Sequence, residues 1–160
     1  MERAFIGLGS NLGDRKKNIE NSVDLLVGTK KANLLKRAAY YETEPIGPNQ
    51  PWFINTAIKI ETSLSPEALL NRCKEVERRI GRFDTTHWGP RLVDLDLLLF
   101  GDRVLSSEKL DIPHPQMETR EFVLRPLIEL EPELIHPELD IPLKELLTKT
   151  EEDKKVIKLQ

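Results

Sequence analysis

The sequence is short of cysteine, of membrane-length apolar runs and of an excess of either charge. Cys73 is the single cysteine among 160 residues, which excludes an intrachain disulfide and fits a reducing compartment. No apolar run approaches the length of a membrane span, and the first residues lack the layout of a signal peptide. The formal net charge of −3 predicts no polyanion-binding surface. We therefore expect a cytoplasmic protein that binds neither nucleic acid nor membrane.

Two common nucleotide-binding signatures are also missing. Residues 9–14 form a Gly/Ser-containing turn between a predicted strand and a predicted helix, which is an arrangement that can hold phosphate. However, the chain has neither the Walker spacing nor the dinucleotide fingerprint. A purely structural turn is the favoured interpretation, so any attraction for phosphate has to come from another local cluster.

The order of the predicted elements indicates the fold. With 39% hydrophobic and 32% charged residues, no linker and no internal repeat, the chain predicts one globular domain over residues 1–160. The β-α-β-β-α-β order predicts an α+β, ferredoxin-like sheet that is largely antiparallel, with both helices on one face and C-terminal additions elsewhere. Strands are predicted at residues 4–8, 34–43, 53–61 and 92–100, and helices at about 14–28, 65–81, 118–127 and 143–149. The charged tail, residues 151–160, is expected to fray or pack loosely.

The strongest chemical signal is a pair of carboxylates in an apolar strand. Asp94 and Asp96 interrupt a run of leucines, a valine and a phenylalanine within residues 92–100. Because side chains alternate along a strand, both carboxylates point to the same face, about 7 Å apart along the backbone. They repel each other and are costly to desolvate, and a divalent cation removes both problems. So few oxygen ligands suit Mg²⁺, which takes its remaining ligands from water and substrate phosphates.

The alternative to a metal site is a solvated or arginine-paired pair of aspartates, since Asp-x-Asp is a common short string. The loop that precedes the strand favours the interpretation as a metal site. It carries Arg82, His87, Trp88 and Arg91, which place cations and an aromatic ring beside the two carboxylates. This combination is typical of a site for nucleotide phosphates.

Three further polar side chains have two interpretations each. Asn55, on a predicted strand, either bonds to backbone or contacts the edge of a flat heterocycle. Glu77 lies at the margin of a helical apolar stripe, where a solvated glutamate is the usual case. His114, between two prolines, either caps local structure or presents a ring nitrogen to a ligand. The residues alone favour the first interpretation for Asn55 and Glu77.

Several segments together carry a family resemblance. They are Gly9-Ser-Asn-Leu-Gly, Thr43-Glu-Pro-Ile-Gly-Pro, Gln50-Pro-Trp-Phe-Ile-Asn55, Gly81-Arg82, Trp88-Gly-Pro-Arg91-x-Val-Asp94-Leu-Asp96, Ile112-Pro-His114-Pro and Arg120-x-Phe122-Val-Leu-x-Pro-Leu. In this order, over about residues 4–137, the chain resembles the 6-hydroxymethyl-7,8-dihydropterin pyrophosphokinases of folate biosynthesis. The segment that runs from Trp-Gly-Pro-Arg into Asp-Leu-Asp is the most specific of them.

The resemblance implies a reaction and its cofactors. The enzyme would transfer the terminal two phosphates of ATP, its co-substrate, as one unit to the hydroxymethyl group of the pterin, and AMP would leave. Two Mg²⁺ ions would be bound by Asp94, Asp96 and ATP oxygens. Arg82 and Arg91 would contact the triphosphate, and Arg91 is the better candidate for stabilising transition-state charge. We expect a monomer.

The resemblance also implies which residues bind each substrate. Adenosine and the phosphates would meet Lys74, Glu77, Arg82, Trp88, Arg91, Leu97, Lys109, His114 and Arg120. The pterin would meet Thr43, Glu44 and Ile46 through backbone, Asn55 at the ring edge, and the rings of Phe53 and Phe122, with Trp88 helping to seal the site. The ligand interpretations of Asn55, Glu77 and His114 thus come from the resemblance. Phe53, His87 and Lys109 depart from residues frequent in the family, and a lysine cannot bind phosphate in a bidentate way as arginine does.

Two other functions stay open. Nucleotidyltransferases also pair Gly-Ser with Asp-x-Asp, but there the Gly-Ser lies about ten residues before the aspartates. Here Gly9 and Ser10 lie more than eighty residues before Asp94, which argues against that class. A non-catalytic module that binds a pterin or a nucleotide on the same fold is the third possibility.

Overall fold

A six-stranded sheet organises the residues that the computed structural model describes, namely 1–45, 50–81, 92–151 and 154–159. The first part of the chain forms β1 (Glu2–Ser10), α1 (Arg15–Val27), β2 (Ala32–Arg37), β3 (Tyr41–Thr43), β4 (Phe53–Thr62), α2 (Pro66–Ile80) and β5 (Asp94–Phe100). The rest forms β6 (Leu105–Ser106), β7 (Asp111–Ile112), a short 3-10 helix (Met117–Thr119), α3 (Glu121–Leu130), β8 (Ile135–His136), β9 (Ile141–Pro142), α4 (Leu143–Thr148) and β10 (Val156–Lys158). None of the helices in these described ranges is both long and apolar enough to cross a membrane.

The predicted strands form one antiparallel sheet, and β10 joins it at the edge of β3. The order is β10-β3-β4-β1-β5, with β2 also pairing with β4, and every pair is antiparallel. The central neighbours β1 and β4 pair from Glu2 opposite Thr62 to Ser10 opposite Ile54. The α+β, ferredoxin-like prediction is therefore confirmed.

The predicted second strand, residues 34–43, is in fact two strands, β2 and β3. Between them the carbonyl oxygens of Ala38 and Ala39 accept hydrogen bonds from the Thr56 hydroxyl, at 3.1 and 2.9 Å. A side chain on β4 therefore satisfies acceptors that a continuous ladder would have paired with backbone, and the strand is interrupted there.

The first two helices begin and end where their caps predict. Asp14 accepts a hydrogen bond from the Lys17 N–H and Ser65 accepts one from the Ala68 N–H, both at 3.2 Å, which satisfies first-turn donors. Both helices pack on one face of the sheet, as predicted. The core on that face includes Ile6 and Leu8 from β1, Ile19, Val23 and Leu26 from α1, and Leu69, Cys73 and Val76 from α2.

The C-terminal additions cover part of the other face. Leu124, Leu127 and Leu130 of α3 pack there with Phe5, Leu98 and residues of α4. The predicted helix over 118–127 is in fact a 3-10 turn followed by α3, which continues beyond Pro126 to Leu130. Burying each leucine contributes about 1.5–3 kcal/mol, and three of them outweigh the roughly 3 kcal/mol that an internal proline costs.

The expectation for the tail is wrong, because its end forms β10. Val156 lies opposite Thr43 and Lys158 opposite Tyr41 on β3. The Glu44 N–H donates to the Lys155 carbonyl at 3.0 Å, and the Leu159 N–H donates to the Tyr40 carbonyl at 2.8 Å. The edge of β3 offers a row of backbone donors and acceptors, and pairing with it orders a segment whose charge alone predicts fraying.

Candidate active site

Two glycines of β1 form the floor of an open area on the sheet face that α3 and α4 only partly cover. Gly9 lies opposite Asn55 on one side and Asp94 on the other, and Gly7 lies opposite Asp96. Residues directly opposite each other in antiparallel strands project to the same face. Asn55, Asp94 and Asp96 therefore rise on one face, with no side chain between them from the glycines.

The position of the Asn55 side chain depends on the absence of a side chain at Gly9. A Cβ atom built on Gly9 would lie 2.5 Å from the Asn55 Oδ1 atom, which is shorter than any normal contact. On its other side, the Asn55 Nδ2 atom donates to the Thr43 hydroxyl at 3.0 Å. The amide is thus held in the space that the glycine leaves and is positioned by β3.

The first cavity lies above this amide and has a volume of about 200 Å³. Its size suits a small ligand, and its wall combines aromatic rings with a few polar groups, as is usual for binding sites of flat heterocycles. The Phe53 and Phe122 rings both line it. The remaining wall includes Gly7, Gly9, Thr43, Glu44, Asn55, Ala57, Asp94, Asp96, Leu98, Arg120, Val123 and Lys154.

The second cavity, of about 450 Å³, lies along the edge of β5 that faces away from β1. The Glu77 Oε2 atom accepts from the Leu95 N–H at 2.8 Å, so this carboxylate binds the strand edge rather than facing only solvent. Every second residue of a strand turns its backbone groups to the same edge, and Leu97 therefore presents its N–H and C=O on the Leu95 side. The wall of the second cavity also includes Leu70, Lys74, Glu108, Lys109, Leu110, Asp111, His114 and Pro115.

The two cavities meet at Asp94, Asp96 and Arg120, which line both of them. The Asp96 side chain is 56% exposed, and its Oδ1 atom lies 3.9 Å from the His114 Nε2 atom. The His114 loop is fixed to β5 because its backbone N–H donates to the Leu98 carbonyl at 2.9 Å. The Arg120 guanidinium and the carboxylates of Asp94 and Asp96 therefore lie between a small aromatic cavity and a larger polar one.

The donor set at this junction fits a metal that takes most of its ligands from elsewhere. Within the described ranges, no group of three or more His, Cys, Asp and Glu side chains is arranged to hold an ion. Asp94 and Asp96 alone supply too few ligands for a closed protein site. They suit Mg²⁺, which commonly binds one or two carboxylates and completes its coordination with water and phosphate oxygens.

The structure brings together the predicted site residues that it describes. Thr43, Glu44, Phe53, Asn55 and Phe122 line the first cavity, Lys74, Glu77, Leu97, Lys109 and His114 line the second, and Asp94, Asp96 and Arg120 line both. Ile46, Arg82, His87, Trp88 and Arg91 lie outside the described residues. The ligand roles of all of these side chains stay predictions.

Sequence reasoning missed several residues that line the first cavity, and two of them, Gly9 and Lys154, bear on its geometry. Gly9 matters through the space it leaves, which becomes visible only when Asn55 is placed opposite it. Lys154 comes from the tail that was expected to fray. The adjacent β-branched residues Val156 and Ile157 are a signal that could have predicted a strand there.

Comparison with known proteins gives consistent matches over most of the chain. The family model described as 7,8-dihydro-6-hydroxymethylpterin-pyrophosphokinase (HPPK) matches residues 5–132. A 2-amino-4-hydroxy-6-hydroxymethyldihydropteridine pyrophosphokinase of Aquifex aeolicus is 41% identical over 146 residues, which cover 91% of this chain and 90% of that protein. The Haemophilus influenzae protein of the same name is 38% identical over 160 residues and 99% of each chain.

Some similar proteins are much longer than this chain. The folic acid synthesis protein fol1 of Schizosaccharomyces pombe is 44% identical over 147 residues, and the match spans 91% of this chain but only 20% of that protein. A crystal structure of Plasmodium falciparum HPPK-DHPS with pterin and p-hydroxybenzoate superposes with a TM-score of 0.73 at 16% identity. It covers 92% of this chain and 43% of that one, and at this identity it supports the fold alone.

Proposed function

The chain belongs to the 7,8-dihydro-6-hydroxymethylpterin-pyrophosphokinase family, and we propose that it transfers the terminal two phosphates of ATP, as one unit, to 6-hydroxymethyl-7,8-dihydropterin. The hydroxymethyl oxygen attacks the β-phosphorus, the bond from that phosphorus to the oxygen bridging to the α-phosphorus breaks, and AMP leaves. The hydroxyl proton is released in the same step. The observation that carries this proposal is the meeting of two unlike cavities at Asp94, Asp96 and Arg120.

The first cavity binds the pterin. The rings of Phe53 and Phe122 stack on the flat heterocycle, and offset stacking of this kind contributes about 0.5–1.5 kcal/mol beyond burial. The Asn55 amide, fixed by its hydrogen bond to Thr43, contacts the polar edge of the ring system. Backbone groups of Thr43 and Glu44 supply further partners. The hydroxymethyl group then points to the carboxylates at the junction.

The second cavity binds ATP. The backbone of Leu97, at the edge of β5 that faces away from β1, offers a donor and an acceptor to the adenine, while Lys74 and Glu77 from α2 lie beside the sugar. Lys109, His114 and Arg120 place their donors towards the phosphates, which bind cationic and N–H groups strongly. Ordering both substrates at one junction lowers the entropic part of the barrier, because the attacking oxygen and the phosphorus no longer have to meet by diffusion.

Two Mg²⁺ ions are proposed to be held at the junction by Asp94, Asp96 and the oxygens of ATP. When bound, they supply positive charge to the phosphates under attack, and a pair of cations suits both the entering and the leaving oxygen. The carboxylates fix this charge on a rigid strand, since β5 is tied to β1 on one side and to Glu77 on the other. Arg82 and Arg91, outside the described residues, are proposed to add charge stabilisation, with Trp88 helping to seal the site.

The identity of the nucleotide product tests the reaction. The protein is incubated with ATP, Mg²⁺ and the reduced hydroxymethylpterin, and the nucleotides are separated by chromatography. We expect AMP in amounts equal to the phosphorylated pterin, and none without pterin. ADP would identify an ordinary kinase, and pterin binding without turnover would identify a non-catalytic binding module.

We further propose that residues 1–160 form one domain and that the protein acts in the cytoplasm as a monomer. The single cysteine fits a reducing compartment. Both candidate cavities are formed by residues of one chain, so the reaction needs no second copy. Light scattering coupled to gel filtration tests this oligomeric state. We expect the molar mass of one chain both with and without substrates.

A further inference from the structure

The C-terminal strand brings to the first cavity a lysine for which the proposed reaction has no role. Lys154 lines this cavity, and its Nζ atom lies 6.0 Å from the centroid of the Phe122 ring. The guanidinium carbon of Arg120 lies 5.8 Å from the same centroid. Both distances are within the range in which a cation is attracted to an aromatic ring. One of the two proposed stacking rings therefore has two cations beside it.

The position of Lys154 is fixed by strand pairing. The neighbouring Lys155 carbonyl accepts from the Glu44 N–H at 3.0 Å, and Val156 lies opposite Thr43. Exposure alternates along this segment, with Lys154 and Val156 half-buried and Lys155 and Ile157 exposed. This is the alternation expected of a strand with one face towards the cavity. The side chain of Lys154 thus belongs to the cavity wall, whereas that of Lys155 points to solvent.

Arg120 and Lys154 differ in what else they face. Arg120 lines both cavities, and its guanidinium also donates to the Gln116 side chain at 2.5 Å. In the proposed reaction Arg120 turns donors to the ATP phosphates, and a guanidinium that engages phosphate is drawn towards it. Of the two cavities, Lys154 lines only the first. It therefore remains beside Phe122 when the nucleotide is bound.

We propose that Lys154 is a positioning residue for the pterin, which acts by holding the Phe122 ring in its stacking orientation. The inference rests on the proposed function, because it takes the pterin as the ligand of the first cavity. The ammonium group attracts the ring through its quadrupole, so fewer ring orientations are populated before the ligand arrives. A ring that is already oriented loses less conformational entropy on stacking, and the pterin binds more tightly.

The test compares pterin affinity among variants saturated with Mg²⁺ and α,β-methylene-ATP, in which the bond that the reaction breaks is blocked. Lys154→Met keeps most of the aliphatic chain and removes the charge, Lys154→Arg keeps the charge, and Lys155→Met is the matched control on the solvent side. We expect Lys154→Met to weaken pterin binding about three- to tenfold, which is the range for a cation–aromatic contact. Nucleotide affinity and the melting temperature should not change, Lys154→Arg should restore affinity, and Lys155→Met should have no effect.

The same substitution in a Phe122→Leu variant shows whether Lys154 acts through the Phe122 ring. In Phe122→Leu the aromatic face is absent, so Lys154→Met should add less than a twofold further loss of pterin affinity, within the usual additivity error. Equal affinity of Lys154→Met and the unmodified protein would overturn the inference, and so would an undiminished effect in Phe122→Leu or an effect on kcat alone. If the unmodified protein binds no pterin, the proposed function fails instead.

Discussion

Replacing Gly9 with alanine tests how the first cavity is built. The φ angle of Gly9 is not in the left-handed region, so the new methyl group causes a steric clash rather than backbone strain. Its Cβ atom would lie 2.5 Å from the Asn55 Oδ1 atom, and the amide has to move by about 1 Å to reach ordinary contact distance. Such a shift strains or breaks the 3.0 Å hydrogen bond from Asn55 to Thr43 and moves the amide away from the proposed ring edge.

The magnitude follows from the hydrogen bond that the Asn55 amide would make to the pterin edge, because the bond from Asn55 to Thr43 exists without ligand and its loss costs folding stability instead. One such bond contributes about 0.5–1.5 kcal/mol net. Because about 1.4 kcal/mol is tenfold in affinity, pterin binding should weaken about two- to twelvefold. The affinity for ATP should stay within about twofold of the unmodified protein, because the second cavity does not include Gly9 or Asn55.

The assay is the dissociation constant of the pterin, measured with α,β-methylene-ATP and Mg²⁺ present, and the KM for each substrate. Gly7→Ala is a comparison on the same strand that shows what a methyl group in the cavity floor costs without displacing the amide, because its Cβ atom would lie 3.2 Å from the Leu98 Cδ1 atom and not beside Asn55. In an Asn55→Ala background, Gly9→Ala should add almost nothing, since the group it displaces is gone. Unchanged pterin affinity in Gly9→Ala, or full additivity with Asn55→Ala, would refute the reasoning.

Four other perturbations have defined outcomes. Asp96→Ala should abolish Mg²⁺-dependent AMP release while the circular dichroism spectrum stays native, because this side chain is 56% exposed; retained turnover would exclude it as a metal ligand. Arg91→Ala should lower kcat by about a hundredfold and ATP affinity much less, as for other groups that stabilise transition-state charge, and an unchanged kcat would make Arg91 structural. Cys73 should react with thiol reagents at pH 8 only on unfolding, because burial raises its pKa to about 12; fast labelling of the native protein would contradict this. Burial lowers the pKa of His136 from its ordinary 6.5, so the unfolded chain binds more protons and the free energy of unfolding should fall as pH drops below about 6.5, less steeply in His136→Gln.

Local signals explain which parts of the fold were predictable. Helix α1 begins after Asp14 and α2 after Ser65 because each side chain satisfies a first-turn N–H, and such caps are visible in the sequence. The antiparallel, ferredoxin-like sheet follows from the β-α-β-β-α-β order of the predicted elements. In contrast, β10 exists because the edge of β3 accepts it, and the interruption between β2 and β3 depends on a hydroxyl from β4. Both are contacts between distant segments, which composition and periodicity do not contain.

The candidate site was predictable in part for the same reason. The two-residue spacing of Asp94 and Asp96 places both carboxylates on one face, and their pairing with Gly9 and Gly7 confirms that face. The ligand role proposed for Asn55 came from the family resemblance, because an amide on a strand is more often bonded to backbone. Lys154 carried no chemical signal in the sequence, and only the pairing of β10 brings it to the cavity.

The most direct measurement is a crystal structure of the protein with Mg²⁺, α,β-methylene-ATP and 6-hydroxymethyl-7,8-dihydropterin. We expect the pterin between Phe53 and Phe122 with its edge on Asn55, and the nucleotide along the edge of β5 that faces away from β1. Two Mg²⁺ ions should bind Asp94, Asp96 and phosphate oxygens, with the hydroxymethyl oxygen facing the β-phosphorus. A pterin outside the first cavity, or a metal site without either aspartate, would contradict the proposed reaction geometry.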